Sequence, residues 1–167
     1  MIRNNLTKNS LKLIYHSLVY SNILYGNVIW GNSNLTTLNP LIIAQKKLIR
    51  TIMFRDRYAH TNDDFYSLGI LKLVDVNVFA SCVFTFKSVR GISEPKNYFQ
   101  YVDNNRYNLR NNSELRLPFC RSLQGQRSPS YYCVNNWNSL PVETKNIVNI
   151  IGFKRNLKDH ILSMYID

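Results

Sequence analysis

The chain has 167 residues, 45% of them hydrophobic and 13% aromatic, enough to bury the core of one domain or of one domain with a small appendage. A net charge of +11 and a pI near 9.7 favour nucleic acid or an acidic membrane surface over a neutral partner, with basic surface serving solubility alone as the competing reading. Cys82, Cys120 and Cys133 are odd in number and form no C-x-x-C, and His16, His60 and His160 sit at no ligand spacing, so neither a disulfide framework nor a zinc site is expected.

The charge is uneven: residues 1–57 carry +7, residues 58–105 carry −1 and residues 106–167 carry +5. Two basic ends therefore flank a nearly neutral middle. No stretch reaches the ~18 apolar residues of a membrane span, and the N-terminus lacks the continuous apolar run of a signal peptide. The expectation is an intracellular protein, nuclear or cytoplasmic, with reduced thiols and no membrane partner.

Residues 8–29 keep helical spacing at Leu11, Ile14, Tyr15, Leu18, Val19 and Tyr25, with weak points at Ser21-Asn22 and Gly26-Asn27. After the turn at Gly31–Asn34 comes the strongest local signal in the chain, a helix with Thr37 as its expected N-cap and Pro40 in its first turn. At about 100° per residue, Leu38, Leu41, Ile42, Leu48, Ile49, Ile52 and Met53 fill one apolar arc that also contains Gln45. Lys46, Lys47 and Arg50 fall on a second arc, with Ile43 and Phe54 between them. Arg55 and Arg57 follow in a loop beside Tyr58. This basic patch with interleaved aromatics suits a nucleic-acid backbone; its alternative is a solvated helix face.

Thr61-x-x-Asp64 resembles a capping box for a short helix ending at Gly69. Asp63-Asp64 is the one adjacent carboxylate pair, and two acids at a helix start favour its dipole without a metal. Residues 74–90 predict a third long helix, with Asp75 as cap and Gly91 as stop, apolar nearly all round and so buried; a strand is the alternative. A short helical turn is expected over Pro95–Tyr101, and Asp103–Asn112 reads as a linker or surface loop. Leu115–Pro118 and Tyr131–Val134 look like edge strands of a small hairpin, confined to the edge by Pro118 and Pro129. Trp137–Pro141 predicts a turn with a buried aromatic anchor. A terminal helix from about Asn149 lines up Phe153, Leu157, Ile161 and Met164, with Lys154, Arg155 and Lys158 beside or across from them.

The expected fold is therefore mainly α: a helical domain over residues 1–102, then an appendage over 103–167 made of a loop, a β-hairpin and a terminal helix. No nucleophile–base pair, phosphate-cradling glycine loop or carboxylate dyad is visible, so no catalytic residue, metal ligand or cofactor is assigned.

One set of short motifs adds to this reading. Leu24-Tyr25 with Trp30-Gly31, Gln45-Lys46-Lys47-Leu48-Ile49-Arg50, His60-Thr61, Leu71-Lys72-Leu73, Tyr107-Asn108-Leu109-Arg110, Trp137-Asn138-Ser139-Leu140-Pro141, and Phe153-Lys154-Arg155 with Leu157-Lys158 occur in order across residues 11–165. In this order the chain resembles the segment after the catalytic palm in reverse transcriptases of non-LTR (LINE-type, jockey-like) retrotransposons. The resemblance implies a thumb and C-terminal appendage of an RNA-directed DNA polymerase. It also implies that the catalytic carboxylates belong to an upstream palm, and that Asp63-Asp64 is surface variation. Two functions follow as expectations. The first is a non-catalytic fragment that grips template–primer (RNA, RNA–DNA or DNA duplex) through Lys46, Lys47, Arg50, Arg55 and Arg57. The second is an orphaned or repurposed protein-interaction module whose apolar surface once packed on the palm. No activity is expected from the chain alone.

Overall fold

In the computed structural model, residues 6–94, 98–102 and 114–165 are described, and helix is the dominant structure among them. Two compact units divide the chain: Met1–Val76 with Lys158–Asp167, and Asn77–Leu157. The boundaries fall at Val76-Asn77 and Leu157-Lys158, so the terminal helix contributes residues to both units. The expected linker at 103–112 lies outside the described residues.

The first unit opens with helix α1 (Lys8–Ile14), capped by the Thr7 side chain, which runs into a π-helical stretch over Tyr15–Tyr20 and then α2 (Ser21–Leu24). The chain breaks at Tyr25-Gly26 and makes the single turn α3 (Asn27–Trp30). Helix α4 (Leu35–Ile52) is the organising helix, but its N-cap is Asn34 rather than Thr37. The Thr37 and Leu38 N–H groups donate to the Asn34 carbonyl at 2.9 and 3.0 Å, so Pro40 lies inside the helix and not in its first turn. Buried on α4 are Leu38, Gln45, Ile49 and Ile52. Leu41 and Leu48, expected in the core, are exposed. Both lie roughly 60° from the centre of the buried arc, on the flank the fold leaves open.

Helix α5 (Asn62–Leu68) ends at Gly69, whose φ of 62° only glycine adopts cheaply; the Ile70 N–H then donates back to the Phe65 carbonyl at 3.0 Å. Tyr15, Ile49, Ile52, Phe65, Leu68 and Ile70 form the core of this unit, with Leu11, Val19, Tyr20, Met53 and Tyr165 packed on it. Gln45 is the polar knot of that core. Its amide donates to the Tyr15 hydroxyl and the Leu71 carbonyl, and its carbonyl accepts from the Leu73 N–H, each at 2.9 Å.

Helix α6 (Leu73–Val89) crosses from the first unit into the second and is a helix throughout, not the alternative strand. Asp75 lies within its first turn rather than capping it. Its end is closed as expected at Gly91, with the Ile92 N–H donating to the Lys87 carbonyl at 2.8 Å.

In the second unit the expected β-hairpin is absent. Leu115 does make an isolated antiparallel bridge, but to Tyr101, and the Asn138 side chain donates to and accepts from the Leu115 backbone at 2.9 Å each way. Of the helical turn expected over Pro95–Tyr101, residues 98–101 are not helical and residues 95–97 lie outside the described residues. After the single turn α7 (Leu123–Gln126), Tyr131–Val134 lies in helix α8 (Pro129–Asn138), which begins with Ser128 as N-cap and Pro129 in its first turn. Proline there supplies the φ that a helix start needs and lacks only an N–H the helix cannot use. Trp137 is 3% exposed, as the anchor reading requires, and Phe153 lies between it and Phe86, with ring centroids 5.9 and 4.4 Å away. Helix α9 (Val142–Lys145) and helix α10 (Ile150–Ser163) complete the described chain. Phe153, Leu157 and Ile161 are buried as expected, whereas Met164 falls past the end of α10 and is exposed.

Candidate nucleic-acid interface

The five basic residues singled out from sequence all lie in the first unit, and the fold treats them differently. Lys46 and Lys47 are exposed on α4, Lys47 opposite the Leu38–Gln45–Ile49 stripe and Lys46 on its flank. Neither forms an ion pair among the described residues. Arg50 is half-buried, and its Nε donates to the Ala59 carbonyl at 2.8 Å. That bond fixes the guanidinium and pins the following loop while leaving the positive charge uncompensated. Arg57 is exposed, with its guanidinium carbon 5.8 Å from the centre of the Tyr58 ring, which is itself 86% exposed.

Arg55 differs from the rest. Its Nε donates to Asp64 Oδ1 at 3.3 Å, and Asp64 is buried while Arg55 is half-exposed. The second carboxylate oxygen, Asp64 Oδ2, has no hydrogen-bond partner among the described residues. Asp64 is thus not surface variation: it is a buried countercharge that offsets Arg55. Asp63 remains exposed in the first turn of α5, where its charge favours the helix dipole. The Thr61 side chain makes no capping bond, so the capping-box reading does not describe this helix start.

The end of α4 explains how Arg55 reaches Asp64. Phe54 is the one described non-glycine residue with a positive φ, 55°, and the Arg55 N–H donates back to the Arg50 carbonyl at 2.9 Å. This is the reversal that usually employs glycine; an aromatic side chain in the left-handed region costs about 1–2 kcal/mol. The strain is held beside the basic stripe, and the Phe54 ring is 48% exposed there along with Ile43 at the same exposure.

A cleft of about 420 Å³ adjoins Lys46 in the same unit. Tyr165 closes one side of it: its hydroxyl donates to Asp75 Oδ2 and accepts from the Lys72 N–H, and the Lys72 ammonium lies 4.0 Å above its ring. Burial, followed by the bond to Asp75, pushes the Tyr165 phenol well above its ordinary value. None of this was legible beforehand, because Tyr165 and Lys72 are 93 residues apart.

Among the described residues, no three or more His, Cys, Asp or Glu side chains gather as a metal site would need. No single helix there is long and apolar enough to cross a membrane. No family model, curated protein or solved structure matches this chain.

Proposed function

We propose that the chain is a non-catalytic nucleic-acid-binding module, a thumb-like part of a retrotransposon reverse transcriptase. On this reading α4 and the loop after it lie along the backbone of a template–primer duplex. The carrying observation is the solvent-facing surface of α4, where Lys46 on the flank of the core stripe and Lys47 opposite it stand exposed without ion pairs among the described residues, with Ile43 and Phe54 between them. Arg50 and Arg57 extend the same positive surface. Arg55 adds little, because the Asp64 carboxylate already offsets it. About four phosphates are then neutralised, by Lys46, Lys47, Arg50 and Arg57. Phosphate contacts fix position and carry little base information, so binding is expected to be insensitive to sequence.

The test is titration of an RNA–DNA duplex with the full chain between about 50 and 200 mM salt, the range over which phosphate-driven affinity changes by orders of magnitude. The expected slope of log affinity against log salt is about −3.6. Absence of binding at the lowest salt, or a slope near zero, overturns the proposal.

A second reading rests on a different surface. Leu13, Leu18 and Ile29 on the N-terminal helices and Tyr25 at the break between them are 64–85% exposed, which suits a module that docks on another protein. Concentration-dependent self-association without salt-dependent nucleic-acid binding would favour it.

A further inference from the structure

The cleft beside α4 has no part in the phosphate-gripping surface except through Lys46. All twelve residues that line it belong to the first unit, and they divide by chemistry. Phe65, Leu73, Ile161, Val74 and Met164 form an apolar wall; the first three are buried, while Val74 and Met164 sit exposed at the rim. Lys46 and Lys72 supply two ammonium groups that form no ion pair among the described residues. Asp75 and Asn62 supply the neutral or acidic polar contacts.

Several of these groups are already committed, and that narrows what the cleft accepts. All the Gln45 amide atoms are used within the core. The backbone N–H groups of Lys72 and Leu73, at the start of α6, are taken by the Tyr165 hydroxyl and by Gln45. Those two N–H groups are therefore not available to an anion, and the Lys46 and Lys72 side chains supply the positive charge of the cleft. Lys72 is positioned for this by the Tyr165 ring beneath it. Asp75 Oδ2 accepts from Tyr165, leaving Oδ1 to accept from a ligand.

We infer that this cleft binds a single nucleotide: the phosphate between Lys46 and Lys72, the base against Val74 and Met164, and a base N–H donating to Asp75. The volume of about 420 Å³ falls in the roughly 300–1,000 Å³ range of small-molecule sites and is too small for a second folded element. The combination of two cations, an apolar wall and one carboxylate fits a flat body that carries an anion at one end and N–H donors at the other. The inference rests on the nucleic-acid reading of α4 only in supplying a source for that nucleotide, an unstacked or terminal residue of the bound strand.

The probe is guanosine 5′-monophosphate, whose base presents N–H donors, titrated into the full chain and followed by the amide resonances of residues around the cleft. Inorganic phosphate is the reference. The nucleotide is expected to bind at least about tenfold tighter than phosphate, since burial of the base adds to the charge contacts. It is expected to shift Asn62, Val74, Asp75 and Met164. Val74→Trp, which fills the cleft from its exposed rim, removes nucleotide binding. Lys72→Gln weakens nucleotide binding about tenfold while leaving the duplex salt slope unchanged, since Lys72 is not among the four phosphate-contacting residues. Affinity no better than that of phosphate, or nucleotide binding unaffected by Val74→Trp, overturns the assignment of the cleft. Those outcomes leave salt-dependent duplex binding intact, whereas loss of duplex binding with nucleotide binding retained refutes the reading of α4 and not that of the cleft.

Discussion

Gln45 is the most informative single residue for the architecture that presents the basic stripe. It is 3% exposed and makes three hydrogen bonds of 2.9 Å, to Tyr15, Leu71 and Leu73, so it ties α4 both to the π-helical stretch and to the start of α6. Gln45→Leu keeps the approximate volume and removes all three. The Leu73 N–H is left buried without an acceptor, at about 1–3 kcal/mol. The Leu71 carbonyl and the Tyr15 hydroxyl each lose one bond, at about 0.5–1.5 kcal/mol apiece. The more apolar side chain returns part of this, about 1 kcal/mol. The net expected loss is about 3 kcal/mol, or a fall of roughly 6–12 °C in Tm for a chain of this size. Urea unfolding followed by far-ultraviolet circular dichroism measures it, with the midpoint moving and the slope unchanged. A loss below about 1 kcal/mol would refute the claim that this amide is fully bonded inside the core.

Two further outcomes follow from the second unit. Trp137→Ala should cost about 3–5 kcal/mol, because the ring is buried beside Phe153; a loss below about 1 kcal/mol in urea unfolding would mean that the C-terminal end of α8 is a surface feature. Burial pushes the Cys82 and Cys133 thiols from 9.0 up to about 12, so at pH 8 a thiol reagent should label Cys120 in the folded chain and all three cysteines only after denaturation. The same shifts carry a sign for stability. Thiols whose folded pKa is raised stabilise the fold fully below pH 9, and that contribution is lost as pH rises from 9 towards about 12. Tyr132 and Tyr165, also raised by burial, act in the same direction. Stability that stayed constant over that interval would contradict the burial of these groups.

The long helices were legible because their apolar patterns are sustained. The α4 period runs over about five turns, which placed Gln45 in its apolar arc from spacing alone, whereas α6, apolar nearly all round, was legible from its length. The short elements were not. Tyr131–Val134 reads as a strand by residue type, since aromatic and β-branched residues dominate it. The stronger signal was Ser128-Pro129 as a helix start, followed by Cys133, Val134 and Trp137 at helical spacing. Burial of Asp64 could not be read locally, because it depends on the left-handed turn at Phe54 that delivers Arg55 to it. The cleft was equally out of reach: Tyr165 meets Lys72 and Asp75 across about 90 residues. The basic residues themselves were all visible in the sequence. What the sequence lacked was which of their charges the fold compensates.

The central claim is that α4 presents uncompensated charge to phosphates. The double variant Lys46→Gln, Lys47→Gln tests it most directly, since both side chains are exposed and neither touches the Gln45 knot or the Ala59 anchor of Arg50. With the far-ultraviolet spectrum unchanged, the slope of log affinity against log salt for an RNA–DNA duplex should flatten from about −3.6 to about −1.8. An unchanged slope in the folded double variant would contradict the account and place the binding surface away from α4.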